Sequence, residues 1–205
     1  AYKWDVDGRL TLLDIGPSGA PTYRLDYIYD GLGMRRRATG AAMPTGPPQV
    51  RSWAWGGEDG EEGVAETPLG SAPQMLAMVG GQALAQGSNR FGLDGVGSVV
   101  ARVDAAAPAS MPLFGYSAYG TPVSGTALNF SAPPQASEPS ASFAGLRYEW
   151  DANLHFAGVR VYRAETGTWL SQDPLGPGSR LANPNDLAPW AYGAFSPLNF
   201  ADEDG

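Results

Sequence analysis

The sequence predicts an all-β protein made of antiparallel hairpins, with little helix. Glycine (28 residues) and proline (18 residues) make up more than a fifth of the 205 residues, roughly twice their usual share. Apolar residues reach 43% while charged residues are sparse at 17%, so the chain can bury a core. A short aromatic motif also recurs along the chain, each time followed by turn residues. Together these observations favour a turn-rich β architecture over a helical bundle.

The recurring motif reads Tyr-x-aromatic-Asp-x-x-Gly. Two copies, YKWDVDG and YIYDGLG, fit it fully and place Asp5 and Asp30 25 positions apart. A third copy, YEWD, keeps the aromatic pair and the aspartate but has Leu154 where the glycine belongs, and a looser fourth reads FGLDGVG. In order along the chain, the copies occupy residues 2–8, 27–33, 91–97 and 148–154. One copy alone would fit ordinary hairpin chemistry, whereas the matched offset favours a repeat.

Each copy has the chemistry of a strand that ends in a tight turn. The two aromatic residues are two positions apart, so they lie on the same side of an extended strand. The aspartate side chain caps the turn, and the glycine supplies the positive φ that such turns need. The chain then returns as a second strand, at residues 10–12 in the first copy and at the basic run 34–37, expected to be solvated, in the second. The module is therefore predicted to be a hairpin.

The segments between the modules show no periodicity. Residues 40–48, 56–74 and 131–142 are rich in Pro, Gly, Ser and acidic residues, and we expect them to be surface loops. Residues 75–86 suit a short helix interrupted by a Gly-Gly pair. Residues 98–103 are predicted to form a strand that follows a turn.

Composition and charge exclude several classes of site. A net charge of −8 and a pI near 4.5 argue against nucleic acid as the main partner, and no stretch approaches the roughly 20 apolar residues of a membrane span. The chain has no cysteine and one histidine, so we expect no metal site and no cofactor. That histidine, His155, is expected to be packed or at the surface. The six tryptophans are expected in the core, with stacking against a glycan as a minor alternative.

The motifs resemble those of the RHS (rearrangement hotspot) or YD-repeat proteins. The Tyr-x-aromatic-Asp units look like YD repeats, and LDGVGSVVARVD and FGYSAYGTP resemble two stretches of the family's associated core. The most specific block is FAGLRYEWD followed by VRVYRAETGTWLSQDPLG, which is similar to the family's R-Y-Y-D-P-x-T-G-R-F-L-S-Q-D-P sequence. The last piece, WAYGAFSPLNFADEDG, resembles the segment in which that core ends. In order, these stretches are residues 93–104, 114–122, 143–151, 159–176 and 190–205.

The resemblance implies a curved sheet of antiparallel YD-repeat hairpins that forms part of a hollow shell. It divides the chain into a YD-repeat sheet with long loops at residues 1–130, a Pro/Ser-rich loop at 131–142 and an RHS-associated core with a C-terminal aspartyl motif at 143–205. It also implies a structural role, in which the shell encloses or presents a C-terminal polypeptide, as in bacterial polymorphic toxins and the C components of toxin complexes. The implied location is secreted or at the surface of a bacterial cell.

The same resemblance implies an aspartyl self-protease that cuts its own chain once, just after the terminal motif. The family's two aspartates correspond to Asp173 and Asp202, and its supporting arginine corresponds to Arg160. Two carboxylates that lie close together share one proton. One then acts as a base on water while the other polarises the scissile carbonyl. A guanidinium beside them stabilises the charged partner.

The chain departs from the family pattern at three positions of these blocks. Glu203 replaces a proline in the terminal motif, Arg163 replaces an aspartate and Ser196 replaces an asparagine. On the residues alone, the Asp-Pro pair at 173–174 is also ordinary turn chemistry, and Asp202 also belongs to an acidic terminus. Enzymatic activity is therefore open at the level of sequence, and a single-turnover aspartyl autoprotease is the activity that the resemblance implies.

The first repeat begins at Tyr2, so the strand edge near residues 2–12 is predicted to pair with something else. The expected partners are missing repeats of the same precursor, a cleaved toxin piece of that precursor, or further copies of the chain. The last of these gives an alternative function, a non-enzymatic extracellular structural subunit that assembles into fibres or surface layers by β-strand addition. The chain also opens with Ala1 rather than Met, which suggests a processed or shortened polypeptide.

Overall fold

The structure is a computed structural model. It describes ten stretches of the chain: residues 1–56, 62–67, 72, 74–79, 82–109, 111–123, 142–149, 152–158, 160–172 and 188–200. The described residues form β-strands joined by turns, together with two short 3-10 turns at Phe143–Gly145 and Tyr192–Phe195, and they contain no α-helix. The all-β prediction with little helix is confirmed.

Sixteen strands make up the described part of the chain. They are β1 (Tyr2–Trp4), β2 (Leu10–Ile15), β3 (Tyr23–Tyr29), β4 (Arg35–Ala42), β5 (Gln49–Gly56), β6 (Glu62–Thr67), β7 (Gln74–Val79), β8 (Gln82–Gln86), β9 (Asn89–Leu93), β10 (Val99–Asp104), β11 (Gly115–Tyr116), β12 (Pro122–Val123), β13 (Arg147–Glu149), β14 (Leu154–Ala157), β15 (Arg160–Arg163) and β16 (Thr168–Trp169). Strands β1 to β10 form one sheet in sequence order, β11 and β12 form a two-stranded sheet, and β13 to β16 form a four-stranded sheet. Every neighbouring pair is antiparallel, as short hairpin connections require.

The predicted Asp-x-x-Gly turns are present in three copies with the same hydrogen bonds. In each, one carboxylate oxygen accepts from the backbone N–H groups two and four residues further on, at 2.8–3.0 Å. The aspartates are Asp5, Asp30 and Asp94. The glycine three positions later has a φ of +76° to +83° in every case, which is the left-handed conformation that favours glycine. The looser fourth copy of the motif therefore folds as the two full copies do.

The third copy of the motif closes its hairpin in a different way. It joins β13 to β14, and Leu154 is already the first residue of the returning strand. The left-handed conformation is taken one residue earlier, by Asn153 with a φ of +52°. Asparagine tolerates this conformation better than other residues that carry a Cβ, so the hairpin survives the loss of the expected glycine.

The ten-stranded sheet packs its inner face against the four-stranded sheet. One continuous core contains Leu10, Leu25 and Leu76 from the large sheet together with Leu154 and Val161 from the small one. Strands β2, β3, β4, β5, β7 and β8 contribute to this core, and from β2 to β8 the sheet spans six strand spacings, roughly 29 Å. The small sheet is only four strands wide, so the large sheet curves around it. The predicted curved antiparallel sheet is confirmed.

The structure corrects three details of the sequence-based prediction. Residues 75–86 are not a helix: they lie in strands β7 and β8, with the Gly-Gly pair between them outside the described residues. In β7, Leu76 is buried between two exposed neighbours, which is the alternation of a strand. The predicted loop 56–74 contains strand β6. Arg35, predicted to be solvated, is 4% exposed.

The three-part division of the chain stays a prediction. The Pro/Ser-rich segment lies outside the described residues except for its last residue, Ser142. Ser142 lies directly before the third region, and its backbone carbonyl accepts a hydrogen bond from the backbone N–H of Val99 of β10 at 2.8 Å. In the third region itself, the backbone N–H of Ala144 donates to the hydroxyl of Ser98, the residue before β10, at 3.1 Å. The third region is therefore bonded directly to the end of the large sheet.

Candidate functional site

Arg160 is the predicted site residue that the structure describes, and it is buried. It is the first residue of β15, pairs with Ala157 of β14 and is 2% exposed. Its Nη2 donates a hydrogen bond to the carbonyl oxygen of Pro189 at 3.0 Å. The guanidinium carbon lies 4.2 Å from the centroid of the Trp169 ring, a distance at which a cation is attracted to the ring face. A buried arginine is thus held from two sides by two different segments.

Those two segments run beside each other. The backbone N–H of Trp169 donates to the carbonyl of Trp190 at 2.9 Å, and Thr168 forms a β-bridge with Ala191. Residues 188–191 therefore line the edge of β16, the last strand of the small sheet. Arg160 contacts both sides of this junction, Trp169 on one and Pro189 on the other.

The two predicted catalytic aspartates, Asp173 and Asp202, lie outside the described residues. The described chain reaches Gln172, the residue before Asp173, and Phe200, two residues before Asp202. Both aspartates therefore follow closely on segments that the structure describes, and these are the segments that meet at Arg160.

An aromatic cluster packs against this junction and includes Trp169, the ring that contacts Arg160. Tyr162 and Tyr192 are each about 1% exposed or less, with ring centroids 4.6 Å apart, and Trp169 completes the group. The Tyr162 hydroxyl donates to the carbonyl of Tyr119 at 2.7 Å. Burial raises the pKa of Tyr162, and the neighbouring tyrosines raise it further, so the hydroxyl stays protonated and keeps donating. The cluster fixes the orientation of the strands that carry Arg160 and Trp169.

Solved toxin structures share this fold over the whole chain. Three of them are a crystal structure of TcdB2-TccC3-TEV (TM-score 0.71, 18% identity, 99% of this chain), a crystal structure of TcdB2-TccC3 without the hypervariable C-terminal region (0.69, 19%, 100%) and the Tc holotoxin pore of Photorhabdus luminescens (0.70, 18%, 99%). The chain has the RHS-repeat fold of the toxin-complex shell. It spans about a tenth of the length of these solved chains. No family model and no curated protein matches it.

Within the RHS fold, the departure at Arg163 falls on the opposite face of β15 from Arg160. Side chains alternate along a strand, so Arg160 and Tyr162 share one face while Val161 and Arg163 share the other. Val161 packs in the core against the large sheet. The guanidinium carbon of Arg163 lies 5.3 Å from the ring centroid of Tyr2 on β1. The added cation therefore contacts the large sheet and not the junction at Arg160.

The departure at Ser196 lies in a turn just before the C-terminal motif. The Ser196 carbonyl accepts from the backbone N–H groups of Asn199 and Phe200 at 2.9 and 3.1 Å, and its hydroxyl accepts from the Asn199 amide at 2.8 Å. Serine thus closes the turn through both its backbone and its side chain. This turn closes the last described stretch of the chain.

The RHS fold seals His155 inside the small sheet. Its ring is fully buried, with Nδ1 3.3 Å from the Ser142 hydroxyl oxygen and its centroid 4.7 Å from that of Tyr148. Burial lowers the pKa of His155 to about 3, against a smaller raising effect of a backbone hydrogen bond with Gly120. The histidine is therefore neutral and packed. Ser142 is 3% exposed, so this Ser-His contact is closed to solvent.

Sequence reasoning missed one group of charged residues, Arg35, Arg51 and Glu149. Glu149 on β13 is fully buried and forms ion pairs with both arginines, which belong to β4 and β5. The repeat pattern of the sequence indicates the burial of Arg35. The 25-residue offset between the first two repeats aligns Arg35 with Leu10, and a charged residue aligned with an apolar core position calls for a buried partner.

Neither a metal cluster nor a membrane-spanning helix is found in the described stretches. Among the ten described stretches, no group of three or more His, Cys, Asp or Glu side chains is arranged to hold a metal ion. Nor does that part of the chain contain a helix long and apolar enough to cross a membrane.

Proposed function

We propose that this chain is a structural segment of an RHS-type shell that encloses or presents a C-terminal polypeptide, in an exported bacterial protein. Support comes from the RHS-repeat fold over the whole chain and from the curved ten-stranded sheet with its packed inner face. The chain covers only about a tenth of the solved toxin chains, so further repeats of the same precursor would complete the wall. Such a protein acts by containment, for which an antiparallel hydrogen-bonded wall is suited.

We further propose that the chain cuts itself once, after the C-terminal motif, with Asp173 and Asp202 as the carboxylate pair and Arg160 as their supporting cation. The observation that carries this is the position of Arg160, buried between Trp169 and Pro189 on the two segments that lead to these aspartates. A buried arginine cannot lose its proton. It therefore favours the charged form of a carboxylate next to it.

The chemistry follows from that arrangement. One aspartate, ionised beside Arg160, takes a proton from a water molecule, and the other, protonated, donates a hydrogen bond to the scissile carbonyl. Water adds to the carbonyl carbon, the carbon–nitrogen bond breaks, and the new amine takes up a proton. Each molecule reacts once, because its substrate is its own chain.

The test is a chain that continues past Gly205 into a reporter of known mass. We expect the wild-type extension to separate into two pieces, with the mass of each placing the cut just after the terminal motif. Asp173→Asn and Asp202→Asn should stay intact, and Arg160→Lys should cut more slowly because lysine lacks the planar guanidinium. Asp26→Asn is the matched control, since Asp26 is an exposed aspartate of β3. An uncut wild type, or equal cutting in the Asn variants, would contradict the proposal.

A second function is favoured by the position of β1 at one edge of the large sheet. Tyr2 and Trp4 of this strand stack with ring centroids 6.3 Å apart, and Tyr2 is 36% exposed. An edge strand with an exposed aromatic side chain is a template for pairing with another strand. Electron microscopy and native mass of the pure chain distinguish the two functions. Fibres or layers made of this chain alone would favour the extracellular structural subunit, and hollow particles that include upstream repeats would favour the shell.

A further inference from the structure

Three charged groups, two of them buried and one half-buried, connect the two main sheets. The Glu149 carboxylate of β13 is fully buried, and its Oε2 lies 3.4 Å from Nη1 of Arg35 on β4. Its other oxygen accepts a hydrogen bond from Nη2 of Arg51 on β5. Arg35 and Glu149 are 114 positions apart in the chain. We call these three residues the inter-sheet ion cluster.

The repeat register shows that the Arg35 position is a core position. It is the second residue after the turn glycine, and the equivalent residues after the other two Asp-x-x-Gly turns are Leu10 and Val99. Both of these are fully buried apolar residues, and Arg35 is only 4% exposed. The large sheet therefore places one cation where its other repeats place an aliphatic side chain.

Arg35 contacts aromatic rings of both sheets. Its guanidinium carbon lies 3.9 Å from the ring centroid of Phe156 and 4.1 Å from that of Trp53. Contact of an aromatic ring with the flat face of a guanidinium leaves the edge, with its N–H groups, for an acceptor. Glu149 occupies that edge. One of the rings belongs to the large sheet and the other to β14, so both sheets complete the site.

The three charges depend strongly on one another. Removing one partner of a buried ion pair leaves an uncompensated charge in an apolar site, which is far more costly than replacing both partners by apolar residues. Glu149 therefore cannot be buried at low cost unless β4 and β5 already present Arg35 and Arg51. The small sheet can therefore pack stably only against a large sheet (the repeat wall) that has already folded.

Seating of the small sheet also fixes Arg160. Glu149 and Leu154 are paired across β13 and β14, and Arg160 pairs with Ala157 on the next strand. We propose that Glu149, Arg35 and Arg51 are positioning residues that lock the small sheet onto the wall and so make self-cleavage dependent on a folded wall. The cleavage half of this inference rests on the proposed function, while the locking half does not.

The locking half is tested on the full chain by hydrogen exchange. Arg35→Met keeps an apolar stem beside the rings but removes the more deeply buried of the two cations paired with Glu149, so we expect amide exchange in β14 and β15 to rise roughly a hundredfold. Exchange in β2 and β3 should change little. The double variant Arg35→Met with Glu149→Met should return exchange in the small sheet to within a few-fold of wild type. Arg24→Met, which breaks a surface pair with Asp14, is the matched control and should leave the small sheet protected.

Specific results would overturn the lock. They are equal exchange in Arg24→Met and Arg35→Met, no rescue in the double variant, or loss of protection in β2 and β3 together with the small sheet. The last would make Arg35 a residue of the general core.

The cleavage half is tested on the chain extended past Gly205. Arg35→Met should slow cutting at least tenfold, and the double variant should recover it, since both variants leave the aspartates and Arg160 unsubstituted. Loss of the lock in exchange with unchanged cutting would refute the positioning role. If the wild-type extension is not cut at all, the self-cleavage proposal fails and this half fails with it, whereas the exchange data still decide the lock.

Discussion

Lowering the pH from 7 to 5 should destabilise this protein through one residue, His155. It is the only histidine of the chain, and its ring is fully buried between the Ser142 hydroxyl and the Tyr148 ring. Burial lowers its pKa from 6.5 to about 3. In the unfolded chain the ring is free in water and binds a proton near pH 6.5. Acid therefore favours the unfolded state.

The size of the effect follows from the two pKa values. Above pH 6.5 the ring is neutral in both states, so the free energy of unfolding does not depend on it. Below pH 6.5 the unfolded state binds one more proton, and the free energy of unfolding falls by about 1.4 kcal/mol per pH unit until pH 3. At pH 5 the loss is about 2 kcal/mol, a large part of the stability of an ordinary domain.

Carboxylates act in a separate window of pH. A side-chain hydrogen bond from Arg24 holds the pKa of Asp14 below 3.8, and the backbone N–H of Ala106 does the same for Asp104. The stability that such groups contribute is present above pH 3.8 and is lost as the pH falls through their lowered values. Between pH 6.5 and 5, the slope therefore reports on the histidine.

The measurement is urea denaturation at half-unit steps from pH 7.5 to 5. Wild type should be flat above pH 6.5 and lose about 2 kcal/mol by pH 5. His155→Phe keeps an aromatic ring in the same cluster and cannot titrate, so its curve should be flat throughout. A flat wild-type curve, or a variant that keeps the slope, would refute this account of His155.

Two further predictions concern the turns and the core, and urea denaturation at pH 7 measures both. Gly8→Ala should lose about 1–2 kcal/mol from its φ of +76° alone, since nothing lies within 4 Å of an added Cβ. Gly31→Ala, with equal space and an ordinary φ, should stay within about 0.5 kcal/mol of wild type, and equal losses in both would contradict the turn geometry. Leu154→Ala should lose about 2–5 kcal/mol because Leu154 is fully buried where the two sheets meet. Leu32→Ala, at an 80% exposed residue, should be near neutral, and a small loss at Leu154 would contradict the packing of the sheets.

The parts of the fold that could be predicted from sequence are those fixed by local chemistry. The Asp-x-x-Gly turns at Asp5, Asp30 and Asp94 form within a few residues, since each aspartate bonds the backbone just after it. The segment 75–86 suits a short helix by composition, because Met, Leu, Ala and Gln favour helices in isolation. Its strands exist because neighbouring strands pair with them, and such tertiary pairing overrides intrinsic propensity.

In the candidate site, too, local motifs are predictable from sequence and long-range contacts are not. Arg160 was found through a motif that spans a few residues of sequence, and the structure adds what no motif contains, its contacts with Trp169 and Pro189. Arg35 was expected in water because a run of three arginines on a strand is usually solvated. Its burial depends on Glu149, more than a hundred positions away, and only the aligned repeats gave a local reason to look for it.

A sheet made of repeats offers a second sheet several similar positions to pack on, and the inter-sheet ion cluster selects one of them. Equivalent positions in different repeats can carry similar side chains, as Leu10 and Val99 do, so an apolar sheet packed on such a wall could occupy several positions of nearly equal free energy. Apolar contacts are non-directional and would distinguish those positions poorly. A buried carboxylate has one acceptable seat, the place where Arg35 and Arg51 meet it. An apolar trio would give comparable stability, so we infer that the charges are there to select one position of the small sheet, as single polar residues do in the registry of coiled coils.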